Sequence, residues 1–257
     1  MKNIIFYLFV IMVEYMGYSF VKTNIKLIKT FRMKNLFKAA FLFTLLFSIH
    51  SCKEKPAEVI GDVASTEGKE YKVGPDFARI YWEASKPNGT HNGTITLSEG
   101  SLYASNGKIT SGNFIIDMSS IQVADLTGEE KANLEAHLKG TETESAQDFF
   151  NTTKYPTGKF EITSVQDSVF KDGSNFFFKG NLTLLDKTKE VSIPANVIFN
   201  EGSITVMSST FTINRTDWGI TYKSKNIFKE LGDKFINDDI VLKLKVETQA
   251  GPGEEKK

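Results

Sequence analysis

The side chains that most often carry chemistry are rare in this chain, which has one cysteine and three histidines. A single cysteine excludes an intrachain disulfide and a zinc site built from several cysteines. His91 lies within 88–93 (NGTHNG), a run of turn-forming residues that predicts a hairpin loop. His137 lies between Leu134 and Leu138 of a predicted helix, where we expect a solvated surface position. The two histidines therefore predict neither a catalytic site nor a metal site.

Charged residues give no stronger signal for catalysis. The glycine-rich nucleotide motifs, H-E-x-x-H and G-x-S-x-G are all missing from the sequence. The neighbouring carboxylates Asp238 and Asp239 are interpreted as solvated charges, as are Glu129 and Glu130. Arg215 and Asp217 precede Trp218 and Gly219, and a charge pair that organises a loop is favoured over a contact with a ligand head group. The sequence predicts no enzyme activity and no cofactor.

Cys52 is the one cysteine, and its position predicts a lipid anchor. Two apolar stretches open the chain, at 4–13 and 39–47. The second follows Lys34 and Lys38, and residues 49–52 (IHSC) resemble a bacterial lipobox. This arrangement is typical of a secretory signal, and neither early apolar stretch reaches the roughly 20 residues of a membrane-spanning helix. We expect lipidated Cys52 to begin the mature protein. The alternative is a spare thiol in a discarded leader.

The charge distribution supports the same division of the chain. Residues 1–52 hold seven basic residues and one acidic residue, whereas 53–257 hold 24 basic and 30 acidic residues. An acidic body with few arginines disfavours a nucleic-acid partner. We predict a leader over 1–52, a flexible tether over 53–69, a barrel domain over 70–248 and a disordered tail over 249–257. Met33 begins a complete signal by itself, so 1–32 are interpreted as a misassigned start.

Period-two alternation of apolar and polar residues runs through the body of the chain. Phe114, Ile116 and Met118 share one parity, for example, and turn-forming pairs such as Asn106-Gly107 separate the runs. Alternation of this kind is typical of strands with one buried face. The pattern predicts an all-β fold, an eight-stranded antiparallel barrel, with one short helical insertion. Thr127 and Glu130 form a capping box that predicts the start of that helix. Leu134 and Leu138 lie one turn apart on a face that we expect to cover one end of the barrel.

The apolar parity gives a candidate ligand-lining set. We predict that ten residues face inward, where they would line a ligand cavity or fill a solid core: Ile80, Trp82, Phe114, Ile116, Met118, Phe160, Ile162, Phe176, Phe178 and Leu182. An eight-stranded barrel can be filled by side chains or can hold one small ligand. A hydrophobic-ligand binder and a structural barrel with a solid core both remain open on the pattern alone.

Four segments resemble the YceI-like family of lipid- or polyisoprenoid-binding barrels. They are residues 148–165 (DFFNTTKYPTGKFEITSV), 180–197 (GNLTLLDKTKEVSIPANV), 211–222 (FTINRTDWGITY) and 231–247 (LGDKFINDDIVLKLKVE). Residues 71–86 resemble the family's first strand. The chain departs from the family at Phe77-Ala78, where many members have His-Ser, and at Leu185-Asp186, where they have His-Gly.

The resemblance implies a lipocalin-like barrel that holds an isoprenoid chain, such as a quinone side chain, without catalytic residues. Together with the alternation, it predicts that the ten inward-facing residues form this lipid-binding cavity. Together with Cys52, it predicts a lipid-anchored protein of the bacterial cell envelope, on the periplasmic or surface face of the outer membrane. The expected partners are an isoprenoid or similar lipid and the membrane, and the oligomeric state stays open. The alternatives are a stress-related envelope enzyme with an undetected polar site and a non-binding structural barrel.

Overall fold

The structure is a computed structural model that describes residues 60–142 and 144–250. The predicted leader, Cys52 and residues 251–257 lie outside this part of the chain. The described residues form one α-helix and eleven strand segments, in the order β1 (Lys69–Val73), β2 (Ala78–Lys86), β3 (Gly89–Ser105), β4 (Lys108–Val123), α1 (Gly128–Lys139), β5 (Thr157–Asp167), β6 (Phe176–Leu184), β7 (Lys187–Asn200), β8 (Ser203–Ser208), β9 (Phe211–Asn214), β10 (Asp239–Glu247) and β11 (Gln249–Ala250).

The strands close into an antiparallel barrel of eight positions, which confirms the predicted fold class. Each strand from β2 to β7 pairs with the next, β8 and β9 pair with β10, and β10 returns to β2. Three positions are made of two segments each. β1 and β2 both pair with β3, β8 and β9 share one edge of β10, and β11 continues β10 to pair with β1. Closure leaves the barrel strands without a free sheet edge.

The alternating sequence produces the barrel because every second side chain points inward. In β4, Phe114, Ile116 and Met118 are buried, whereas the intervening Ile115 and Asp117 are partly exposed. The pairing of β3 with β4 shifts register three times, and that of β5 with β6 shifts once. Such bulges bend strands and help a sheet to curve into a barrel.

The two ends of the barrel differ. The helical end contains α1, the turn at Pro87-Asn88, the turn at Leu185-Asp186 and residues 215–238. The opposite end contains the turn at Asn106-Gly107 and residues 168–175. The predicted Asn106-Gly107 turn is confirmed, with a positive φ at both residues.

Helix α1 covers part of the helical end. Thr127 is its N-cap residue, as predicted, but its side chain makes no capping hydrogen bond, so the predicted capping box does not form. Gly140 ends the helix in the left-handed conformation, and its N–H donates to His137 O. The Glu135 carboxylate accepts a hydrogen bond from the Val123 N–H at 2.9 Å and so ties the helix to the end of β4.

Two boundaries differ from the prediction. Part of the predicted tether already contacts the barrel, because Ala64 N–H donates to Ile162 O at 3.0 Å and Asn181 donates to Gly61 O at 2.8 Å. Lys69 is the first residue of β1. Gln249 and Ala250, assigned to the disordered tail from their composition, pair with β1. Composition alone does not reveal these backbone pairings.

Candidate functional site

An apolar cavity of about 430 Å³ lies inside the barrel. This volume falls within the range of about 300–1,000 Å³ typical of ligand pockets. Side chains from all eight barrel positions contribute to its wall, and only the short segments β1 and β11 contribute none. Besides the predicted set, the strand residues that line it include Ile95, Leu97, Leu102, Ile121, Leu184, Val191, Ile193, Val206, Phe211, Ile213, Leu242 and Leu244.

Nine of the ten residues predicted to face the ligand lie at the cavity wall: Ile80, Trp82, Phe114, Ile116, Met118, Phe160, Ile162, Phe178 and Leu182. Phe176 is buried but is not among the lining residues. It lies at the opposite end of the barrel, where its ring packs on Phe178 at 5.8 Å and on Phe199 at 6.4 Å between centroids. The parity of Phe176 predicts burial correctly, but its position beyond the cavity cannot be read from parity.

Glycines make room for the large rings of the wall. A Cβ at Gly93 would lie 2.7 Å from Cζ2 of Trp82, and a Cβ at Gly180 would overlap the Phe160 ring. The Phe160 ring in turn stacks on Phe114, with centroids 6.4 Å apart. Strand glycines often mark such close approaches. They keep these aromatic rings against the wall of the cavity.

The two tryptophans of the chain both line the cavity, but their indole groups differ. Trp218 Nε1 donates a hydrogen bond to Leu182 O at 3.1 Å. Trp82 Nε1 is buried and has no acceptor among residues 60–142 and 144–250. Because a buried N–H without an acceptor is costly, a ligand acceptor that reaches Trp82 Nε1 would gain a hydrogen bond at this residue of the cavity wall.

His137 is not the solvated residue that the sequence predicts. It is half-buried at the cavity wall, and its Nε2 lies 2.9 Å from Asp148 Oδ2. The edges of two aromatic rings meet the imidazole, with centroid distances of 5.1 Å to Phe149 and 5.0 Å to Tyr222. These partners come from two loops outside the helix, so the residue pattern of the helix could not predict them. His137 is thus a polar group at the helical end of a mainly apolar cavity.

His91 also lies at the cavity wall, on strand β3 rather than in a hairpin loop. The turn occupies only Pro87-Asn88, so β3 begins before His91. His91 Nδ1 lies 2.8 Å from Asp125 Oδ2, and its Nε2 lies 3.1 Å from Lys86 Nζ. Burial raises the pKa of Asp125, but hydrogen bonds from the Asn92 N–H and from His91 outweigh it, so the net pKa is lowered.

Arg215 pairs with Asp238 and not with Asp217. The Arg215 guanidinium lies 3.2 Å from Asp238 Oδ1, and both side chains are buried. Asp217 is exposed. The interpretation of Asp238 as a solvated charge is therefore wrong, whereas Asp239, Glu129 and Glu130 are exposed as predicted. Arg215 donates to the backbone carbonyls of Ile220, Ile236 and Asn237, so the pair organises the loops at the helical end.

Leu134 and Leu138 of α1 line the cavity, in agreement with their expected place at one end of the barrel. Sequence reasoning missed other lining residues outside the strands, which include His137 of α1, Phe149 and Phe150 after it, and Ile220, Tyr222, Phe235 and Ile236. The loop residues follow no regular period, and only their apolar or aromatic character could have drawn attention to them.

The positions that depart from the family pattern lie mostly away from the cavity. Phe77 is exposed, and Leu185 and Asp186 form a turn outside the cavity wall. Only Ala78 is a lining residue. Among residues 60–142 and 144–250, no cluster of three or more His, Cys, Asp or Glu side chains is arranged to hold a metal ion. No helix in this part of the chain is long and apolar enough to cross a membrane.

A closed eight-stranded antiparallel barrel around an apolar cavity defines a lipocalin-like protein. Residues 71–248 match the model of the YceI-like domain, and the chain belongs to this family. Protein YceI of Shigella flexneri is 32% identical over 107 residues, which are 42% of this chain and 45% of that protein. The match thus spans less than half of that relative's length.

Two solved structures share the fold. BcnA of Burkholderia cenocepacia has a TM-score of 0.50 and 17% identity, and the match covers 66% of this chain and 95% of BcnA. A polyisoprenoid binding domain from Saccharophagus degradans, implicated in plant cell wall breakdown, has a TM-score of 0.51 and 12% identity. That match covers 74% of this chain and all of the domain. At these identities the likeness establishes the fold alone.

Proposed function

We propose that this protein binds an isoprenoid or a similar lipid in the barrel cavity and performs no catalysis. The observation that carries the proposal is the cavity itself, about 430 Å³ of space lined mainly by aliphatic and aromatic side chains. Apolar pockets with few polar groups suit hydrocarbon ligands. Membership of the YceI-like family and the polyisoprenoid binding domain from Saccharophagus degradans support the same ligand class.

Burial of the lipid's hydrocarbon chain supplies the binding free energy. Each buried CH₂ group contributes about 0.8 kcal/mol, so a long hydrocarbon chain binds tightly even after the cost of ordering it is subtracted. The polar groups at the wall suit a ligand that is not purely hydrocarbon. Trp82 Nε1 offers a donor, and His137 lies at the helical end. A quinone or another lipid with a small polar head fits this distribution.

The contacts of the two histidines at the helical end give no indication of covalent catalysis. His91 contacts Asp125 and Lys86, and His137 contacts Asp148. Neither imidazole is hydrogen-bonded to a Ser, Thr or Cys side chain in the described part of the chain, so the nucleophile–base pair of covalent catalysis has no counterpart here. The enzyme alternative therefore finds no support in these contacts.

The location that we propose is the bacterial cell envelope. Cys52 follows a lipobox-like sequence, and its lipidation would anchor the barrel to the periplasmic or surface face of the outer membrane. Two or more acyl chains on one residue suffice for stable anchoring, whereas one chain is marginal.

Lipid extraction followed by mass spectrometry tests the ligand assignment. The protein is purified from the envelope of its bacterial host in a detergent that displaces ligand poorly, and its extract is compared with that of an unrelated envelope lipoprotein prepared in parallel. We expect a stoichiometric isoprenoid or related lipid in the first extract only. Equal lipid in both extracts, or none in either, would contradict the proposal.

A further inference from the structure

Residues 220–236, here called the mouth segment, place two large apolar side chains in solvent beside the cavity. Ile227 is 49% exposed and Phe228 is 47% exposed. Ile220, Phe235 and Ile236 of the same segment line the cavity. The exposed pair therefore lies on the same stretch of chain that forms the helical end of the lipid site.

A buried network holds this pair outward. Ser224 Oγ donates to Asp238 Oδ2 at 2.8 Å, and Asn226 Nδ2 donates to the same oxygen at 2.7 Å. The Phe228 N–H donates to Ser224 O at 2.9 Å. Ser224 and Asp238 are both buried. Because these bonds fix the turn that carries Ile227 and Phe228, their exposure is a feature of the folded barrel.

The mouth segment is also positively charged, in contrast with the rest of the barrel. It contains Lys223, Lys225, Lys229 and Lys234 against Glu230 and Asp233. Residues 60–142 and 144–250 as a whole contain 20 basic and 26 acidic residues. Apolar side chains within a basic patch are typical of surfaces that bind anionic membranes.

The opposite end of the barrel lacks this combination. Val169 is 85% exposed there, but the nearby charges are mixed. Asp167 pairs with Lys108, and Lys171 is followed by Asp172. This end therefore has no net positive charge to attract an anionic surface, whereas the mouth segment combines exposed apolar residues with an excess of lysines.

We propose that Ile227 and Phe228 insert into the interface of an anionic bilayer, with Lys225 and Lys229 beside the lipid head groups. This contact turns the helical end of the barrel toward the membrane, so that a lipid can move between the bilayer and the cavity without crossing open water. The transfer step rests on the proposed function, whereas the membrane contact is measurable by itself.

Spin labels on the full chain test the contact. Cys52→Ser removes the one native thiol, and Phe228→Cys or Val169→Cys then supplies a single labelling site at either end of the barrel. The labelled proteins are bound to vesicles of phosphatidylcholine and phosphatidylglycerol in equal parts, or of phosphatidylcholine alone. We expect the label at position 228 to gain oxygen access and lose access to an aqueous nickel reagent on the anionic vesicles. The label at position 169 should stay aqueous on both.

Charge reversal adds a second readout. Each lysine near an anionic surface contributes about fivefold to binding, so Lys225→Glu with Lys229→Glu should reduce the membrane-inserted population of the label at position 228 at least that much. A label at position 228 that stays as aqueous as the one at position 169 would overturn the proposal. Equal insertion on both kinds of vesicle would overturn its electrostatic part.

Lipid content of the same preparations separates this inference from the proposed function. Bound lipid together with an aqueous label at position 228 would refute the membrane contact and leave the ligand assignment intact. An inserted label on protein that never contains lipid would support the contact and refute the ligand assignment.

Discussion

Arg215 and Asp238 form an ion pair of 3.2 Å in which the two side chains are only 3% and 2% exposed. The pair joins the end of β9 to the start of β10, and Asp238 also accepts the hydrogen bonds that fix Ser224 and Asn226. Burial lowers the pKa of the Arg215 guanidinium, and Asp238 opposes this effect. The loops at the helical end of the cavity are thus built around one buried pair of charges.

Removing one member of this pair should destabilise the barrel. Arg215→Ala leaves the Asp238 carboxylate buried without a cation, and such a change costs about 3–5 kcal/mol. Asp217→Ala is the matched control because Asp217 is exposed, and surface changes usually stay within about 0.5 kcal/mol. Denaturant unfolding of both variants measures the difference. Equal unfolding free energies for the two variants would show that the pair does not stabilise the fold.

The sequence could not have identified this pair. Arg215 and Asp238 are 23 residues apart, and the intervening chain is irregular, so no periodicity relates them. Asp217 is nearer in sequence, but it points to solvent from a short 3-10 helix at Arg215–Trp218. The buried faces of the strands, by contrast, can be predicted, because the alternation that buries Ile116 and Met118 is visible in neighbouring residues of the chain. The barrel and most of its wall were therefore predictable, whereas the loops that close the helical end were not.

Acid should reduce the stabilising effect of Asp125. Its pKa is lowered in the folded protein, so its contribution is complete above the unfolded value of about 3.9 and is lost as the pH falls through the folded value. Asp125→Asn should therefore cost about 1 kcal/mol at neutral pH, and this difference should shrink below about pH 4. Urea unfolding across this pH range measures it, with Glu129→Gln as the control because Glu129 is exposed in the first turn of α1. A difference that grows toward low pH would contradict the assignment.

A glycine in the turn at Leu185-Asp186 should stabilise the barrel. Both residues have positive φ, 50° and 57°, which favours Asn-Gly rather than Leu-Asp in a two-residue hairpin. Asp186→Gly should raise the free energy of unfolding by about 0.5–1 kcal/mol. Gly107→Ala, at a φ of 74° in the Asn106-Gly107 turn, should lower it by a similar amount. Thermal melting of the two variants tests both predictions. A lower melting temperature for Asp186→Gly would show that the backbone at position 186 is not strained.

Lipidation of Cys52 is a separate prediction. In a bacterial host with lipoprotein processing, labelled palmitate should enter the wild-type protein and not Cys52→Ser, because the thiol is needed to receive the diacylglyceryl group that carries the acyl chains. The variant should also leave the membrane fraction. A Ser51→Ala variant keeps a small residue before the cysteine and should still be labelled. Equal labelling of wild type and Cys52→Ser would exclude this anchor.

The polar part of the site shows where sequence reasoning stops. His137 lies on a helix whose Leu134 and Leu138 were expected to face the barrel, but its neighbours Phe149 and Tyr222 come from loops. The Trp82 position was predicted from parity. Whether its Nε1 finds an acceptor in the described part of the chain depends instead on the distances to all nearby carbonyl groups. Such features depend on how distant segments pack, which no local pattern specifies.

Neighbouring positions on β4 provide the most direct test of a lipid-filled cavity. Ile116 faces the cavity, and Ile115 lies on the outer face of the same strand. Ile116→Trp adds bulk where the lipid would lie, and Ile115→Trp adds the same bulk outside. The measurement is the amount of lipid per protein after purification, with thermal melting to establish folding. We predict that Ile116→Trp remains folded and loses its lipid, while Ile115→Trp and wild type retain it. Unchanged lipid in Ile116→Trp, or its unfolding with no lipid in the wild type, would contradict a lipid-binding cavity.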